Sequence, residues 1–324
     1  MAERLLAVQG QDPRGARLAV RARSEGVTAA DVDRALSEER SLLITWLNRG
    51  TLHLVRSEDY PWLHALATPP LLTSNARRLR QEGVSESAAE KGMNVIERAL
   101  AGEGPLTRPQ LRERLGTAGI PTAGQALVHL LFLATLRGFA VRGPMVGKEH
   151  AYVLVCDWLG EQQPVDRDQA LAELARRYLV GHAPADDRDL ARWAGLPLRD
   201  ARAGLTAIAK QLVEREDGLV ELVKSRPAEP LPAPRLLGAF DPLLLGWTSR
   251  EEIVGPHKLL VTVNGIFRPF ALVGGKAVAT WRFAGGKVTI EHLEKVSARA
   301  TAALDADGLE VQRFFERPQL EIAT

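Results

Sequence analysis

The chain has 324 residues, 45% of them hydrophobic, which is enough to bury a core and too many for one comfortable domain. Its 42 Lys and Arg against 40 Asp and Glu leave a formal charge of +2, which argues neither for nor against a polyanionic partner. No apolar run approaches the ~20 residues of a membrane-spanning helix, and the opening MAERLLAVQG lacks the layout of a secretion signal, so a cytoplasmic protein is expected. The one cysteine, Cys156, lies in the apolar run AYVLVCDWL, where a small buried hydrophobe is expected. A single cysteine excludes an internal disulfide, and no clustered Cys/His metal site is visible.

In chain order, ERLLAV reads as a helix broken at Gly10 and Pro13. A second helix, PRGARLAVRAR, has Asp12 as N-cap and Pro13 at its first position. Thr28 caps a third, AADVDRALSEER, and SLLITWLNRGTLHLVR then reads as two strands turning at Asn48, Arg49 and Gly50. Helices followed by a hairpin are the order of a winged helix. From about Lys91 the order recurs: NVIERALAG, then RPQLRERLG opened by Thr107 and Pro109, then TAGQALVHLLFLATLRG opened by Pro121. The hairpin closing that unit pairs FAVRG with HAYVLV across a turn around Pro144 and Gly147. A third unit runs from Asp168 to Val223, through DQALAELARRYLVGH, ADDRDLARWAG and PLRDARAGLTAIAKQLVERE to a small wing around Gly218.

Residues 225–235 (SRPAEPLPAPR) form a proline-dense linker, after which short β-type runs alternate with Gly pairs and end in the helix EKVSARATAALDADG. The expected fold is therefore α+β: three tandem winged-helix units over 1–68, 69–160 and 161–226, then a β-rich C-terminal domain over 227–324.

Four motifs in this order and spacing are VQGQDPR at Val8 to Arg14, WLNRGTLHLV at Trp46 to Val55, AFDPLLLGWTSR at Ala239 to Arg250, and NGIFRPFALVGGKAVATWR at Asn264 to Arg282. With GHAPADDRDLARWAGL at Gly181 to Leu196, they resemble the tandem winged-helix DNA glycosylases, the AlkZ-like and YcaQ-like proteins. The resemblance covers nearly the whole chain. It implies a glycosylase that hydrolyses the N-glycosidic bond of bulky N7-alkylated purines and unhooks interstrand crosslinks, in repair or genotoxin self-resistance. It also implies a monomer acting on double-stranded DNA at the nucleoid, without a cofactor or a metal.

The family's Gln-X-Gln motif falls on Gln9, Gly10 and Gln11 as the catalytic pair. Gly10 stands where the family usually has an aliphatic residue, which is expected to loosen the backbone that aims both side chains. Family members usually carry a further helical segment before this motif, so the first unit reads as N-terminally short. Spacing two puts both amides on one face where the backbone is extended, and Gly10 with Pro13 disfavours a continued helix there. The bland alternative is two polar residues at a helix end bonded to backbone.

For Asp12, the N-cap role suffices. His53 alternates with Leu52 and Leu54 on its strand, so it is expected to point away from the core and towards DNA. Lys148 and His150 in the second hairpin, and Arg199 and Arg202 at the start of the third recognition helix, are candidates for phosphate contact. Gln125 and His129 share a face of the second recognition helix, whose apolar remainder favours burial between units. Asp241, Arg250, Arg268 and Trp281 are expected to tie the β-region to the winged helices through a buried aspartate–arginine pair and a packed tryptophan. Two other function classes compete: a non-catalytic winged-helix DNA-binding protein or transcriptional regulator, and a protein-interaction module.

Overall fold

The computed structural model describes residues 1–147, 149–223 and 231–316. It is a mixed α/β chain with antiparallel sheets. The first stretch carries α1 (Ala2–Leu5), β1 (Val8–Gln9), α2 (Pro13–Arg21), α3 (Ala29–Ser37) and the hairpin β2 (Leu42–Leu47)–β3 (Thr51–Arg56). The Asp12 side chain accepts from the Arg14 N–H at 2.9 Å and sets the start of α2. Thr28 and Asp31 form a reciprocal capping box that starts α3. The expected first helix is cut short: the chain is extended by Val8, because β1 pairs with β3, Val8 opposite Leu54 and Gln9 opposite His53.

Two helices that the sequence pattern did not signal follow, α4 (Tyr60–Ala67) and α5 (Pro69–Gln81). Each has Pro in its first turn, an ordinary opening residue of a helix. Then come α6 (Glu86–Glu103), α7 (Arg108–Thr117), α8 (Ala126–Leu136) and the hairpin β4 (Ala140–Val146)–β5 (Glu149–Leu154). The helix α8 starts later than Pro121 suggested, at a Gln125 N-cap.

A short helix α9 (Val155–Leu159) follows β5 directly and corrects the reading of Cys156: the turn of helix swings this residue out, and it is exposed, not buried. The third stretch has α10 (Arg167–His182), α11 (Asp187–Ala194), α12 (Leu198–Ala207) and the two-stranded wing β6 (Leu212–Glu214)–β7 (Val220–Leu222).

The C-terminal stretch holds β8 (Arg235–Leu237), α13 (Glu251–Val254), β9 (Phe270–Val273), β10 (Lys276–Ala284), β11 (Lys287–His292) and α14 (Ala298–Phe315). Part of the expected linker, 225–230, lies outside the described residues, and its end at Arg235 is already strand.

The two long hairpins do not stand apart. They merge into one five-stranded sheet of order β1-β3-β2-β4-β5, whereas β8 to β11 form a separate sheet of order β11-β10-β9-β8. Leu18 on α2 packs into the core of that second sheet with Leu236, Trp281 and Leu304, while Ala16 and Val20 face the first sheet with Val8 and Leu54.

Thus α2 lies between the two sheets directly after the Gln9–Gln11 segment. The fit is close: a Cβ on Gly15 would collide with the Ala239 carbonyl, so only glycine lets the C-terminal backbone seat there. Beneath the seat, the fully buried Asp241 carboxylate takes both Nη atoms of Arg23, at 2.6 and 2.9 Å. The expected buried pair exists, but its cation is Arg23 and not Arg250 or Arg268. Arg268 is exposed, and Arg250 donates to the Leu244 carbonyl at 3.2 Å. Trp281 is packed as expected and donates to the Leu237 carbonyl at 2.8 Å.

Candidate active site

Gln9 is the second residue of β1, and its partner across the ladder, His53, is itself opposite Thr45. Register partners project from the same face of a sheet, so Gln9, His53 and Thr45 form one polar row across three strands. The Gly10 N–H continues the ladder to the Leu52 carbonyl at 2.7 Å, which keeps the backbone extended to the second glutamine. Gln9 Nε2 then donates to Gln11 Oε1 at 2.6 Å. The sequence-predicted pair is therefore brought together, with Gln9 only 6% exposed and Gln11 open to solvent.

The conformation at Gly10 does not require glycine. A Cβ there would meet the Leu54 N at 3.6 Å, an ordinary contact, and its φ lies outside the left-handed region.

The amide of Gln9 is fixed from its other side by Arg49, which sequence reasoning took only as a turn residue. Arg49 Nη2 donates to Gln9 Oε1 at 3.3 Å, and its Nη1 donates to the carbonyls of Trp193 and, at 3.4 Å, Arg192. Those carbonyls end α11, where the helix dipole is negative and a guanidinium is welcome.

Arg49 itself sits in the left-handed region, φ 57°, and its backbone presses on Gly195, whose own φ is 70° and where a Cβ would lie 2.6 Å from the Arg49 N. One relay thus runs from the end of α11 through Arg49 and Gln9 to Gln11. Since Arg49 supplies only donors, Gln9 Oε1 must face it and Gln9 Nε2 must face Gln11, which settles both amide orientations. Burial, and secondarily the charge of Arg192, lower the Arg49 pKa from the ordinary arginine value. The sequence signal that pointed to Arg49 was its place in NRG, a turn that only a left-handed residue completes.

His53 corrects the expectation of a side chain directed outwards: it is 3% exposed, because the face it projects from, shared with Leu43, Leu47 and Val55, packs into the core formed with α4 and α10. Its Nδ1 lies 3.0 Å from the Thr51 carbonyl. Burial, with a smaller contribution from the Arg49 charge, pushes its pKa down to about 3, so the imidazole is neutral. In the same region Thr45 Oγ1 and Asn48 Nδ2 are buried without a hydrogen-bond partner among the described residues.

The remaining candidates scatter. His150 is also corrected: it is 9% exposed, folded back so that Nδ1 lies 2.9 Å from the Gly143 carbonyl across the β-bulge, and burial lowers its pKa despite that carbonyl. Lys148 lies outside the described residues. Arg199 is 86% exposed beside Asp200, and Arg202 is exposed with Nε 2.6 Å from Asp187 Oδ2. Gln125 is exposed, contrary to the expected burial, and its N–H caps onto Glu82, whereas His129 is half-buried against Asn75 at 2.8 Å. Among the described residues no group of three or more His, Cys, Asp or Glu is placed to hold a metal ion, and no helix is long and apolar enough to cross a membrane.

A neutral pair of amides at the edge of a sheet defines a polar centre, and among the described residues no carboxylate is hydrogen-bonded to the pair. The sequence matches the family described as DNA glycosylase AlkZ-like over residues 2–314, and the chain belongs to that family. It is similar to the interstrand DNA cross-link repair glycosylase of Streptomyces sahachiroi, 26% identical over 334 residues, covering 96% of this chain and 88% of that protein. Among solved structures it is similar to Streptomyces sahachiroi DNA glycosylase AlkZ, with a TM-score of 0.77 at 23% identity over 97% of this chain and 89% of that one. Membership makes the chain a DNA glycosylase, a hydrolase, and favours the enzyme over a winged-helix regulator.

Proposed function

We propose that the protein hydrolyses the N-glycosidic bond of bulky N7-alkylated purines in double-stranded DNA, crosslinked guanines included, with Gln9 and Gln11 as its catalytic pair. The observation that carries this reading is the 2.6 Å contact between a buried and an exposed amide.

An N7-alkylated purine is cationic and leaves readily, so the protein must place water and favour the oxocarbenium-like sugar. Gln11 Oε1 has a second lone pair beyond the one Gln9 occupies, and that lone pair holds the attacking water. The water oxygen bonds to C1′ as the bond from C1′ to the purine N9 breaks. The electron pair of that bond neutralises the departing base, and the surplus proton of the water passes to solvent. The Gln11 carbonyl dipole, held in place by the Gln9 amide before the reaction, faces the developing positive charge. Asp12 has no part in this, since its carboxylate caps α2.

The three helix-turn-helix stretches act as winged helices that embrace the duplex, with Arg199 and Arg202 on phosphates, and the 227–324 region braces the first of them. A monomer at the nucleoid, in repair or in resistance to the cell's own genotoxin, fits this role.

Incubation with N7-methylated duplex should release N7-methylguanine and leave an intact abasic site, cut only after alkali. Among the described residues, the side chains hydrogen-bonded to the pair include no lysine, so borohydride should trap no covalent adduct. Gln9→Ala and Gln11→Ala should each slow release by ~10²- to 10³-fold with DNA affinity nearly unchanged. Release at the wild-type rate by the double variant refutes the pair, and retention of every N7 and N3 adduct refutes the reading.

A further inference from the structure

Arginines in this fold are commonly tied to carboxylates: Arg17 to Asp33, Arg21 to Asp307, Arg23 to Asp241, Arg177 to Asp59. Arg49, Arg192 and Arg250 are not among them. The Arg49 guanidinium rests on two backbone carbonyls and the Gln9 amide, all neutral. That of Arg250 lies 5.2 Å from the Phe267 ring centroid and donates to a carbonyl, also neutral. Arg192 projects into solvent from the last turn of α11.

Three chain segments converge here. Thr248 N donates to Asp189 Oδ1 at 2.7 Å and Trp247 Nε1 to the Pro184 carbonyl at 3.0 Å, which clamps the segment leading to Arg250 against α11, while Gly195 admits the Arg49 backbone from the other side. Asp189, one turn before Arg192, is the nearby carboxylate on α11, and it is spent on the N–H groups of Asp186 and Thr248. Arg49 and Arg250 are each held below the ordinary arginine pKa, first by burial and then by the charge of Arg192.

Crowding like charges in a partly buried place costs free energy unless an anion offsets it. A phosphodiester fits: it is a compact monoanion whose two free oxygens match the guanidinium fork. We propose that Arg49, Arg192 and Arg250 form a binding site for one backbone phosphate of DNA, seated beside the glutamine pair. The site deepens the glycosylase reading and rests on it only for the identity of the polyanion. Arg49 joins the two: the same guanidinium that orients Gln9 lies against the phosphate, so the neighbouring sugar is delivered to the exposed amide of Gln11. Without the phosphate, three cations would oppose a cationic sugar; with it seated, one of those charges is cancelled.

The test uses the full chain and a short duplex, undamaged or carrying one N7-methylguanine. Affinity is followed by fluorescence anisotropy against salt for wild type, Arg192→Ala, Arg250→Ala and the double variant. Each single variant should weaken binding on the order of tenfold and reduce the slope of log K on log salt by ~0.9, the share of one phosphate. The double variant should lose the same ~0.9, not twice as much, because both arginines serve a single phosphate. A neutral methylphosphonate at one position near the lesion should weaken wild type and weaken the double variant, which keeps only Arg49, much less. Unchanged slopes, losses that add to two phosphates, or a methylphosphonate effect as large in the double variant as in wild type each overturn the proposal. Arg192→Lys, an exposed change, should keep both the slope and the thermal midpoint and so reports charge apart from folding. Base release measured in parallel separates the readings: release with an unchanged slope refutes the phosphate site alone, and a lowered slope without release refutes the glycosylase alone.

Discussion

Two sets of arginines meet the first stretch of the chain, and they are built to opposite rules. Behind α2, Arg21 and Arg23 run into the C-terminal region, where Asp307 and Asp241 are both nearly inaccessible and each answers with a carboxylate. In front, Arg49 reaches Gln9 from the hairpin turn, and neutral carbonyls and amides answer it. The first set is saturated inside the protein and ties the first stretch to the C-terminal stretch. The second leaves charge unspent beside the glutamine pair. An arginine's role is thus legible from what sits opposite it more than from its own exposure.

The comparison breaks most visibly at Asp241. Asp241→Ala strands Arg23, whose pKa is otherwise raised because the Asp241 carboxylate outweighs the effect of burial, and should cost about 3 kcal/mol of stability. Chemical denaturation of the variant measures it. The exposed pair of Arg202 with Asp187 is the control, and its loss should cost less than ~1 kcal/mol.

Next in size comes Arg49→Lys, which keeps the charge but cannot span α11 and Gln9 together. Base release under single-turnover conditions should fall roughly 10- to 100-fold, the worth of a charge-assisted hydrogen bond, with the salt slope of binding intact. A wild-type rate in this variant would remove Arg49 from the relay.

A smaller effect is set by the buried imidazoles. His53 and His182 have their pKa values pushed down to about 3 and about 4 by burial, against 6.5 in the unfolded chain. The unfolded state therefore binds these protons first. Their contribution to stability is complete above pH 6.5 and is lost as the pH falls towards 4 and then 3. Unfolding free energies measured across that window should decline accordingly, and imidazole NMR signals of His53 should show no titration between about pH 5 and 8.

Least of all is expected from Gly10→Ala. The added methyl meets only ordinary contacts, so the unfolding free energy should hold or rise by up to ~1 kcal/mol, with excision unimpaired. A large loss would mean that the segment moves during the reaction.

Caps and turns of most elements were readable because each is a local device: Asp12 before Pro13, Thr28 with Asp31, Asn48 to Gly50, the Gly-paired turns of the C-terminal strands. Failures of the pattern were of two kinds. The helices α4 and α5, each opening with Pro in its first turn, went unsignalled, and period-two alternation placed His53 on an outer face, whereas that face packs into the core with Leu43, Leu47 and Val55.

The sequence by itself determined most of the succession of helices and hairpins, α4, α5 and α9 apart, and the spacing that puts Gln9 and Gln11 on one extended face, since both follow from short-range sterics and hydrogen bonding. Tertiary structure alone decided that two hairpins share one sheet, that Asp241 belongs to Arg23, and that Arg49 closes the relay from α11 to the glutamines. Each of these joins residues distant in the chain, at 23 and 241, 49 and 193, 44 and 142, and no local preference encodes which distant partner a buried charge or an open strand edge will meet.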